Sequence, residues 1–336
     1  MRVLITGGAG YIGSHAAKAM ARAGHEAVVY DNLATGHLWA VKWGPFEYGD
    51  INDTATLGEV MRRHRIEAVL HFAARSYVGE SAIRPDIYYR TNVSGSVSVL
   101  EAMRAAGVGK IVFSSTCATY GARKSMPILE GMPQAPINPY GRTKLMVEEI
   151  LADYARAFGM AAMVLRFFNA AGADPDGELG EEHDPETHLV PLILQAAAGI
   201  RPEIQLFGED YPTADGTCVR DYVHVTDLGA THLAALSRLT PGTMTAYNLG
   251  SGQGYSVREV LDAAERITGR RVPVRVADRR PGDPPRLVAD TAAAVAGLGW
   301  APRHSGLDSI IETTWAWMTQ HRRGAYQSLA NRRDGA

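Results

Sequence analysis

The chain has 336 residues, of which 46% are hydrophobic, so it can bury a substantial core in one large domain or two ordinary ones. Its 34 basic and 36 acidic side chains nearly cancel, which gives no support for binding to nucleic acid or to an anionic membrane. The apolar stretches are too short to span a bilayer, and Cys117 and Cys218 form no close-spaced metal or redox motif. We expect no metal site, no signal peptide and a cytoplasmic setting.

The chain opens with a predicted strand, a glycine turn and a helix. The apolar run Val3–Thr6 leads into Gly7, Gly10 and Gly13, and good helix formers follow at 14–22. Glycines at this spacing allow a tight turn and close approach of a pyrophosphate to the backbone, while the helix N-terminus offers free N–H groups. The segment therefore predicts a bound dinucleotide.

Acidic residues end the next two predicted strands. Asp31 follows the strand at 26–30, eighteen residues after Gly13, where a carboxylate accepts hydrogen bonds from the adenosine ribose and repels a 2′-phosphate. This favours NAD over NADP. Asp50 and Ile51 end the following strand and are placed to hydrogen-bond and cover the adenine; the alternative is a strand-ending turn and a core isoleucine.

A buried strand over 68–74 ends in Phe72, Ala73 and Ala74, where the backbone must pass close to a cofactor. We interpret His71 as a structural histidine near the cofactor phosphates and not as a catalytic one. An amphipathic helix is predicted over 88–106. Asn92 near its start is a candidate functional residue, although a solvated asparagine is the alternative.

The strand at 110–113 ends in hydroxyl-rich residues that begin with Ser114 and include Thr116. Ligands of open parallel sheets lie outside the carboxyl ends of the strands. These hydroxyls are therefore candidates to orient a substrate alcohol, although serine and threonine at a strand end also cap the backbone.

Tyr140 and Lys144 lie four residues apart, just after Asn138-Pro139, where a helix is expected to begin. Residues at this spacing share one face of a helix. A lysine ammonium beside a tyrosine lowers the pKa of the phenol, so we expect Tyr140 to act as a proton acceptor. In isolation, such a pair usually means only a half-buried ring beside a solvated ammonium.

The composition changes after Asn169, because residues 170–186 are rich in Gly, Asp, Glu and Pro and lack periodicity. We predict an α/β fold with a Rossmann-type doubly wound parallel sheet and a smaller α/β C-terminal lobe for substrate. The predicted domains are an NAD-binding domain at 1–169, with return segments near 219–231 and 245–250, and a mainly substrate-binding domain at 170–336. The last dozen residues are expected to be frayed.

These motifs together resemble the extended short-chain dehydrogenase/reductase superfamily and, within it, the UDP-glucose 4-epimerases, over roughly residues 1–318. The superfamily pattern is matched at 6–13, 31–33, 71–74, 114–116 and 140–144. The stretches more specific to the epimerases are 166–169, 207–222 and 280–283.

The resemblance implies that Tyr140 is the catalytic base, that Lys144 tunes it and binds the nicotinamide ribose, and that Thr116 hydrogen-bonds the sugar 4-hydroxyl. The cofactor-binding residues, including those argued above, are Gly7, Gly10, Tyr11, Ile12, Gly13, Asp31, Asn32, Asp50, Ile51, Phe72, Ala73, Ala74, Asn92, Ser114, Tyr140, Lys144 and Phe167. The substrate-binding residues are Thr116, Asn169, His188, Leu189, Phe207, Arg220, Arg280, Asp283 and Leu287.

The implied reaction interconverts UDP-glucose and UDP-galactose through a 4-keto sugar nucleotide, with NAD as the hydride carrier, in a homodimer. Ser76 stands where some members of the family have lysine, and Phe167 replaces a common tyrosine. Leu287 is intermediate between the large aromatic that excludes N-acetyl sugars and the small residue that admits them. We therefore hypothesise that some UDP-N-acetylglucosamine is accepted.

Other functions stay open at this point. Pentose and uronate 4-epimerases share the same motifs. The 4,6-dehydratases add acidic residues after the threonine, whereas Cys117-Ala118 stand there. A non-catalytic NAD-binding sensor is a further alternative, against which the intact Thr116, Tyr140 and Lys144 argue.

Overall fold

The computed structural model describes residues 1–123, 125–280 and 282–321. The strands are β1 (Arg2–Thr6), β2 (Glu26–Asp31), β3 (Phe46–Tyr48), β4 (Ala68–His71), β5 (Lys110–Thr116), β6 (Ala161–Phe167), β7 (Asn169–Ala171), β8 (Ile204–Phe207), β9 (Val219–His224), β10 (Met244–Leu249), β11 (Gly254–Ser256), β12 (Val274–Ala277) and β13 (Arg286–Leu287). The α-helices are α1 (Tyr11–Arg22), α2 (Thr54–Arg63), α3 (Val78–Ile83), α4 (Pro85–Tyr88), α5 (Gly95–Ala106), α6 (Pro139–Phe158), α7 (Leu189–Ala197), α8 (Val225–Leu236), α9 (Val257–Thr268), α10 (Ala292–Leu298) and α11 (Leu307–Ala316).

Seven parallel strands form the main sheet in the order β10-β6-β5-β4-β1-β2-β3. The chain runs outward from β1 to β3 and then crosses back to β4 on the other side of β1. Such a reversal leaves a crevice at the carboxyl ends of β1 and β4, where ligands of doubly wound sheets bind. The predicted Rossmann-type fold is therefore confirmed.

Helices cover both faces of this sheet because its strands alternate between two apolar cores. Val3 and Ile5 of β1 belong to a core that includes Met20 of α1 and Leu228 of α8. Leu4, between them, joins the opposite core with side chains from α2, α5 and α6.

The smaller α/β part is built on β9, which pairs with β7, β11 and β13, together with the separate pair β8 and β12. Helices α7, α9 and α11 pack around it in a third apolar core. The predicted return at 245–250 is β10 at the edge of the main sheet. Of the predicted return at 219–231, α8 packs on the main sheet, while β9 lies in the smaller one.

The predicted helix over 88–106 is interrupted. A π-helical turn, Tyr89–Ser94, separates α4 from α5, and the buried side chain of Asn92 lies in this turn.

Helix α6 begins as predicted, because the side-chain carbonyl oxygen Oδ1 of Asn138 accepts a hydrogen bond from Gly141 N at 2.8 Å. The last dozen residues, which are predicted to be frayed, lie outside the described part of the chain. Within that part, no helix is long and apolar enough to cross a membrane.

Candidate active site

The turn between β1 and α1 requires glycine at two positions. Gly7 has a φ of +73°, and a Cβ placed there would lie 2.5 Å from Ala73 N. A Cβ on Gly13 would lie 2.2 Å from the carbonyl oxygen of Gly7. The turn is thereby held against the end of β4, and any side chain at these positions would push the two apart.

The residues around this turn fit a dinucleotide. Gly10 begins α1 without a side-chain cap, so the first N–H groups of the helix are available to an anion. Asp31 lies beside the turn and accepts hydrogen bonds from Ala9 N at 3.0 Å and Leu33 N at 2.8 Å. Burial raises the pKa of Asp31, and these two bonds oppose that rise.

The ends of β2 and β3 are joined by a polar contact. Asn32 Nδ2 donates to Asp50 Oδ2 at 2.9 Å. Ile51, which follows Asp50 in the chain, is buried. The predicted adenosine-binding residues therefore lie together at one edge of the sheet.

His71 is a structural histidine, as predicted from the sequence. Its Nδ1 lies 2.6 Å from Thr6 Oγ1 and its Nε2 lies 2.9 Å from Ser96 Oγ. Burial lowers the pKa of His71 to about 3, so the ring is neutral at physiological pH. Phe72, one residue later, packs on His232 with ring centroids 4.5 Å apart.

The Asn92 side chain is buried, and both its amide oxygen and its amide nitrogen form hydrogen bonds within the protein. Its Oδ1 accepts from Arg75 N at 2.8 Å, and its Nδ2 donates to Arg75 O and to Thr143 Oγ1, both at 3.0 Å. The side chain thus fastens the loop after β4 to the first turns of α6. These bonds help to position helix α6, which carries Tyr140 and Lys144.

Tyr140, Lys144 and Thr116 come together as buried side chains. Lys144 Nζ donates to the carbonyl oxygen of Ser114 at 2.8 Å. The Thr116 side chain lies close enough to the Tyr140 phenol to lower its pKa. Gly141 allows this approach, because a Cβ there would lie 2.6 Å from the carbonyl oxygen of Ala118.

The expected lowering of the Tyr140 pKa is wrong for this structure. Burial raises the pKa of Tyr140 to about 12, and the nearby Thr116 side chain only partly opposes the rise. Burial also lowers the pKa of Lys144 to about 7, against the attraction of Glu148. Since desolvation disfavours both charged forms, helical spacing between the two residues did not predict their protonation.

A buried polar network that was not predicted from the sequence connects α6 to the main sheet. Glu148 accepts hydrogen bonds from Ser115 Oγ at 2.5 Å and from Arg166 Nη2 at 2.6 Å. Arg166 Nη1 also donates to the Tyr120 hydroxyl at 2.8 Å, which in turn donates to Asn248 Oδ1 at 2.7 Å. The network links β5, β6, β10 and α6 around the candidate catalytic residues.

Several of the predicted substrate-binding residues lie on the strands of the smaller α/β part. Arg220 of β9 forms an ion pair with Asp283 and is in register with Leu287 of β13. Leu287 belongs to an apolar cluster with Cys117, which directly follows Thr116. The strands therefore bring the predicted UDP-binding and sugar-binding residues to the carboxyl end of β5.

The remaining predicted substrate-binding residues have defined partners. Asn169 Nδ2 donates to the carbonyl oxygen of Asp221 at 2.7 Å. The Arg280 guanidinium lies over the ring of Phe207, 4.0 Å from its centroid. Leu189 begins α7.

His188 precedes α7 and belongs to a group that the sequence analysis also missed. Its Nδ1 lies 2.7 Å from Glu181 Oε1 and 2.9 Å from Glu186 Oε1. Although burial lowers the pKa of His188, these carboxylates raise it to about 11. His183 contacts the same two carboxylates.

The match to known proteins agrees with this geometry. A family model described as the NAD dependent epimerase/dehydratase family matches residues 3–250. The chain belongs to this family.

Relatives narrow the class. A UDP-glucose 4-epimerase of Lacticaseibacillus casei is 49% identical over 326 residues, which are 96% of this chain and 98% of that protein. The structure of the UDP-glucose 4-epimerase from Brucella ovis in complex with NAD has a TM-score of 0.91 and 53% identity, covering 94% of this chain and 97% of that chain. The enzyme from Stenotrophomonas maltophila, with bound NAD and formylated UDP-arabinopyranose, has a TM-score of 0.93 and 42% identity, covering 96% and 99%. The resemblance to the UDP-glucose 4-epimerases is therefore confirmed.

Proposed function

We propose that this protein is an NAD-dependent enzyme that interconverts UDP-glucose and UDP-galactose at C4 of the sugar. The observation that carries the proposal is the buried group of Tyr140, Lys144 and Thr116 beside a glycine turn that fits a dinucleotide, in a chain about half identical to UDP-glucose 4-epimerases. The reaction passes through a 4-keto sugar nucleotide and regenerates the cofactor in each cycle.

The glycine turn, Asp31, Asn32, Asp50 and Ile51 would hold the adenosine diphosphate half of NAD. The remaining cofactor-binding residues would be Tyr11, Ile12, Phe72, Ala73, Ala74, Asn92, Ser114, Tyr140, Lys144 and Phe167. Bound NAD would supply reversible hydride transfer at C4 of the sugar, and the positive charge of its oxidised ring would favour ionised Tyr140.

The side chains of this chain handle the proton. Tyr140 Oη accepts the proton of the sugar 4-hydroxyl and later returns it, while Thr116 Oγ1 holds that hydroxyl in line. Because the pKa of Lys144 lies at about 7, its Nζ can hold or release a proton at neutral pH. A phenol with a raised pKa is a strong base once ionised, so the reaction depends on positive charge near Tyr140.

The substrate is anchored by its UDP half. Arg220 and Arg280 are suited to diphosphate oxygens, because a guanidinium presents a fork of N–H donors. The other residues proposed to hold UDP are Asn169, His188, Leu189, Phe207 and Asp283. Firm anchoring there leaves the ketone free to turn and present its other face to the cofactor.

The sugar range is proposed from Leu287. Leu287 is partly buried against the apolar cluster that includes Tyr120, and Cys117, the residue after Thr116, packs against the same cluster; we infer that the size of Leu287 limits the space near Thr116. A leucine leaves more room than a large aromatic ring, and we therefore keep the hypothesis that UDP-N-acetylglucosamine is turned over at a lower rate.

The assembly and the location of the enzyme are also proposals. Helix α6 exposes Met146 and Phe158, which supports packing against a second copy in a homodimer; light scattering that shows monomers at working concentration would contradict it. The free thiols Cys117 and Cys218 support a reducing cytoplasm. We place the boundary between NAD-binding and substrate domains at residue 169, with α8 and β10 returning to the first.

The function is tested by incubating the purified protein with UDP-galactose and measuring UDP-glucose. Conversion that approaches equilibrium, and that is lost in Tyr140→Phe, supports the epimerase. Accumulation of a 4-keto-6-deoxy product would instead indicate a dehydratase. No conversion by NAD-loaded protein would favour a sensor. Parallel rates on UDP-arabinose and UDP-glucuronate distinguish the pentose and uronate alternatives.

A further inference from the structure

Two histidines and two glutamates converge in the segment before α7. Glu181 Oε1 lies 2.9 Å from His183 Nδ1 and 2.7 Å from His188 Nδ1. Glu186 lies 2.9 Å from His188 Nδ1 and 3.8 Å from His183 Nδ1. One ligand atom from each of the four residues lies within 4.8 Å of every other.

We propose that Glu181, His183, Glu186 and His188 form a binding site for a divalent cation of the zinc type. Imidazole nitrogen and carboxylate oxygen are ordinary ligands of Zn²⁺, which takes four of them in a tetrahedron at about 2.0–2.2 Å. Adjacent ligand atoms of such a tetrahedron are about 3.3 Å apart. The four histidine–glutamate contacts, of 2.7–3.8 Å, bracket this spacing.

The burial of the four side chains suits a bound ion. The two carboxylates are buried: the side chain of Glu181 is 3% exposed and that of Glu186 is 7% exposed. His188 is 43% exposed, which provides a route from solvent. A divalent cation that binds both imidazoles in their neutral form would displace their protons and would neutralise the charge of the two carboxylates.

A second acidic group provides a contrast. Asp174, Asp176 and Glu178 also have ligand spacing, but Lys18 Nζ lies within 2.5–2.9 Å of an oxygen of each. The ammonium already occupies the position of a cation there. A carboxylate of this second group is therefore a matched control.

The ion would connect two parts of the site. The His183 ring lies against those of Tyr11 and Tyr77, with centroids 6.2 and 5.9 Å away, and Tyr11 belongs to the glycine turn. His188 immediately precedes α7. A bound cation would fix the whole segment between the cofactor-binding turn and the proposed UDP anchors.

The test uses the full, untagged chain after treatment with a chelator. Isothermal titration with Zn²⁺ is expected to show one ion per chain, and Co²⁺ is expected to give the intense visible absorption of a tetrahedral nitrogen–oxygen site. Replacing a ligand should weaken Zn²⁺ binding by about tenfold or more, so His183→Gln and Glu186→Gln should each do so. Glu178→Gln should bind as the wild type does.

The outcomes are separable from folding and from the proposed enzyme activity. Circular dichroism establishes that each variant is folded, and the Co²⁺ spectrum of the wild type needs no variant. Absence of saturable Zn²⁺ binding by the wild type, an octahedral Co²⁺ spectrum, or binding by both ligand variants equal to that of Glu178→Gln would overturn the proposal.

Discussion

Arg166 Nη2 and Glu148 Oε2 lie 2.6 Å apart, with both side chains buried. The pair joins β6 to α6 directly behind the candidate catalytic residues. Removing one partner of a buried pair leaves an uncompensated charge, which costs about 3–5 kcal/mol. We expect Glu148→Gln to lower the free energy of unfolding by this amount in urea or guanidinium titrations.

The control for this change is the adjacent residue of the same helix. Glu149 is exposed, so Glu149→Gln should change the free energy of unfolding by less than about 0.5 kcal/mol. Equal stability of Glu148→Gln and Glu149→Gln would show that the ion pair does not hold α6 in place.

Tyr140→Phe removes the proposed base and nothing else. We expect turnover of UDP-galactose to fall by about a hundredfold or more, whereas the dissociation constant of UDP should stay nearly unchanged, because the UDP anchors lie on other elements. Tyr154→Phe on the same helix is the control, since the Tyr154 hydroxyl donates to Glu101. A fully active Tyr140→Phe enzyme would rule out the base assignment.

Lys144 makes the stability of the cofactor-free protein depend on pH. Its pKa is lowered from 10.5 to about 7 by burial, so between these values the unfolded chain binds more protons than the folded one. The contribution of Lys144 to stability therefore rises with pH above about 7, by at most about 1.4 kcal/mol per pH unit. The difference in unfolding free energy between wild type and Lys144→Met should rise from pH 7 to 9.

The corresponding control is Lys110→Met, because Lys110 is exposed at the start of β5. The difference between wild type and this variant should stay flat over the same pH range. A flat difference for Lys144→Met as well would mean that Lys144 keeps its ordinary pKa in the folded protein.

Substitutions at Gly7 and Gly24 distinguish the cost of a left-handed backbone conformation from the cost of a steric clash. Both have positive φ, +73° and +76°, but only the Cβ on Gly7 would meet backbone within 4 Å. Gly24→Ala should cost about 1–2 kcal/mol for the left-handed conformation alone. Gly7→Ala should cost more and should also weaken NAD binding in a fluorescence titration. Equal losses of stability in Gly7→Ala and Gly24→Ala would show that the glycine turn shifts and relieves the clash.

Leu287 is expected to set the range of sugars. Leu287→Tyr should reduce turnover of UDP-N-acetylglucosamine by about tenfold or more, as pocket size discriminates by such factors, with UDP-galactose turnover as the internal reference. Leu287→Gly should change the ratio in the opposite direction. Identical ratios of the two rates in all three proteins would remove Leu287 from the proposed pocket.

The main sheet was predictable because each of its strands is an apolar run next to a glycine, an acidic residue or hydroxyls. The sequence Ser-x-x-Glu at 256–259 is typical of a capping box, and the structure has one at the start of α9. The π-helical turn at Asn92 was not, since it depends on partners at Arg75 and Thr143 that are distant in sequence.

The site was predictable in its residues but not in its electrostatics. The positions of Tyr140 and Lys144 follow from helical spacing, whereas their pKa values follow from how completely the fold removes water from both. Glu181, His183, Glu186 and His188 were missed as a group, although the pattern Glu-x-His-x2-Glu-x-His was readable.

Strand β10 has a consequence for how this chain can be recombined with its relatives. It comes from residues 244–249, yet it pairs with β6 along its whole length, from Met244 opposite Ala162 to Leu249 opposite Phe167. Any single crossover between β6 and β10 would join strands of two parents inside one sheet. Exchange of the sugar-binding part between two enzymes therefore needs at least two crossovers, one on each side of the inserted segment.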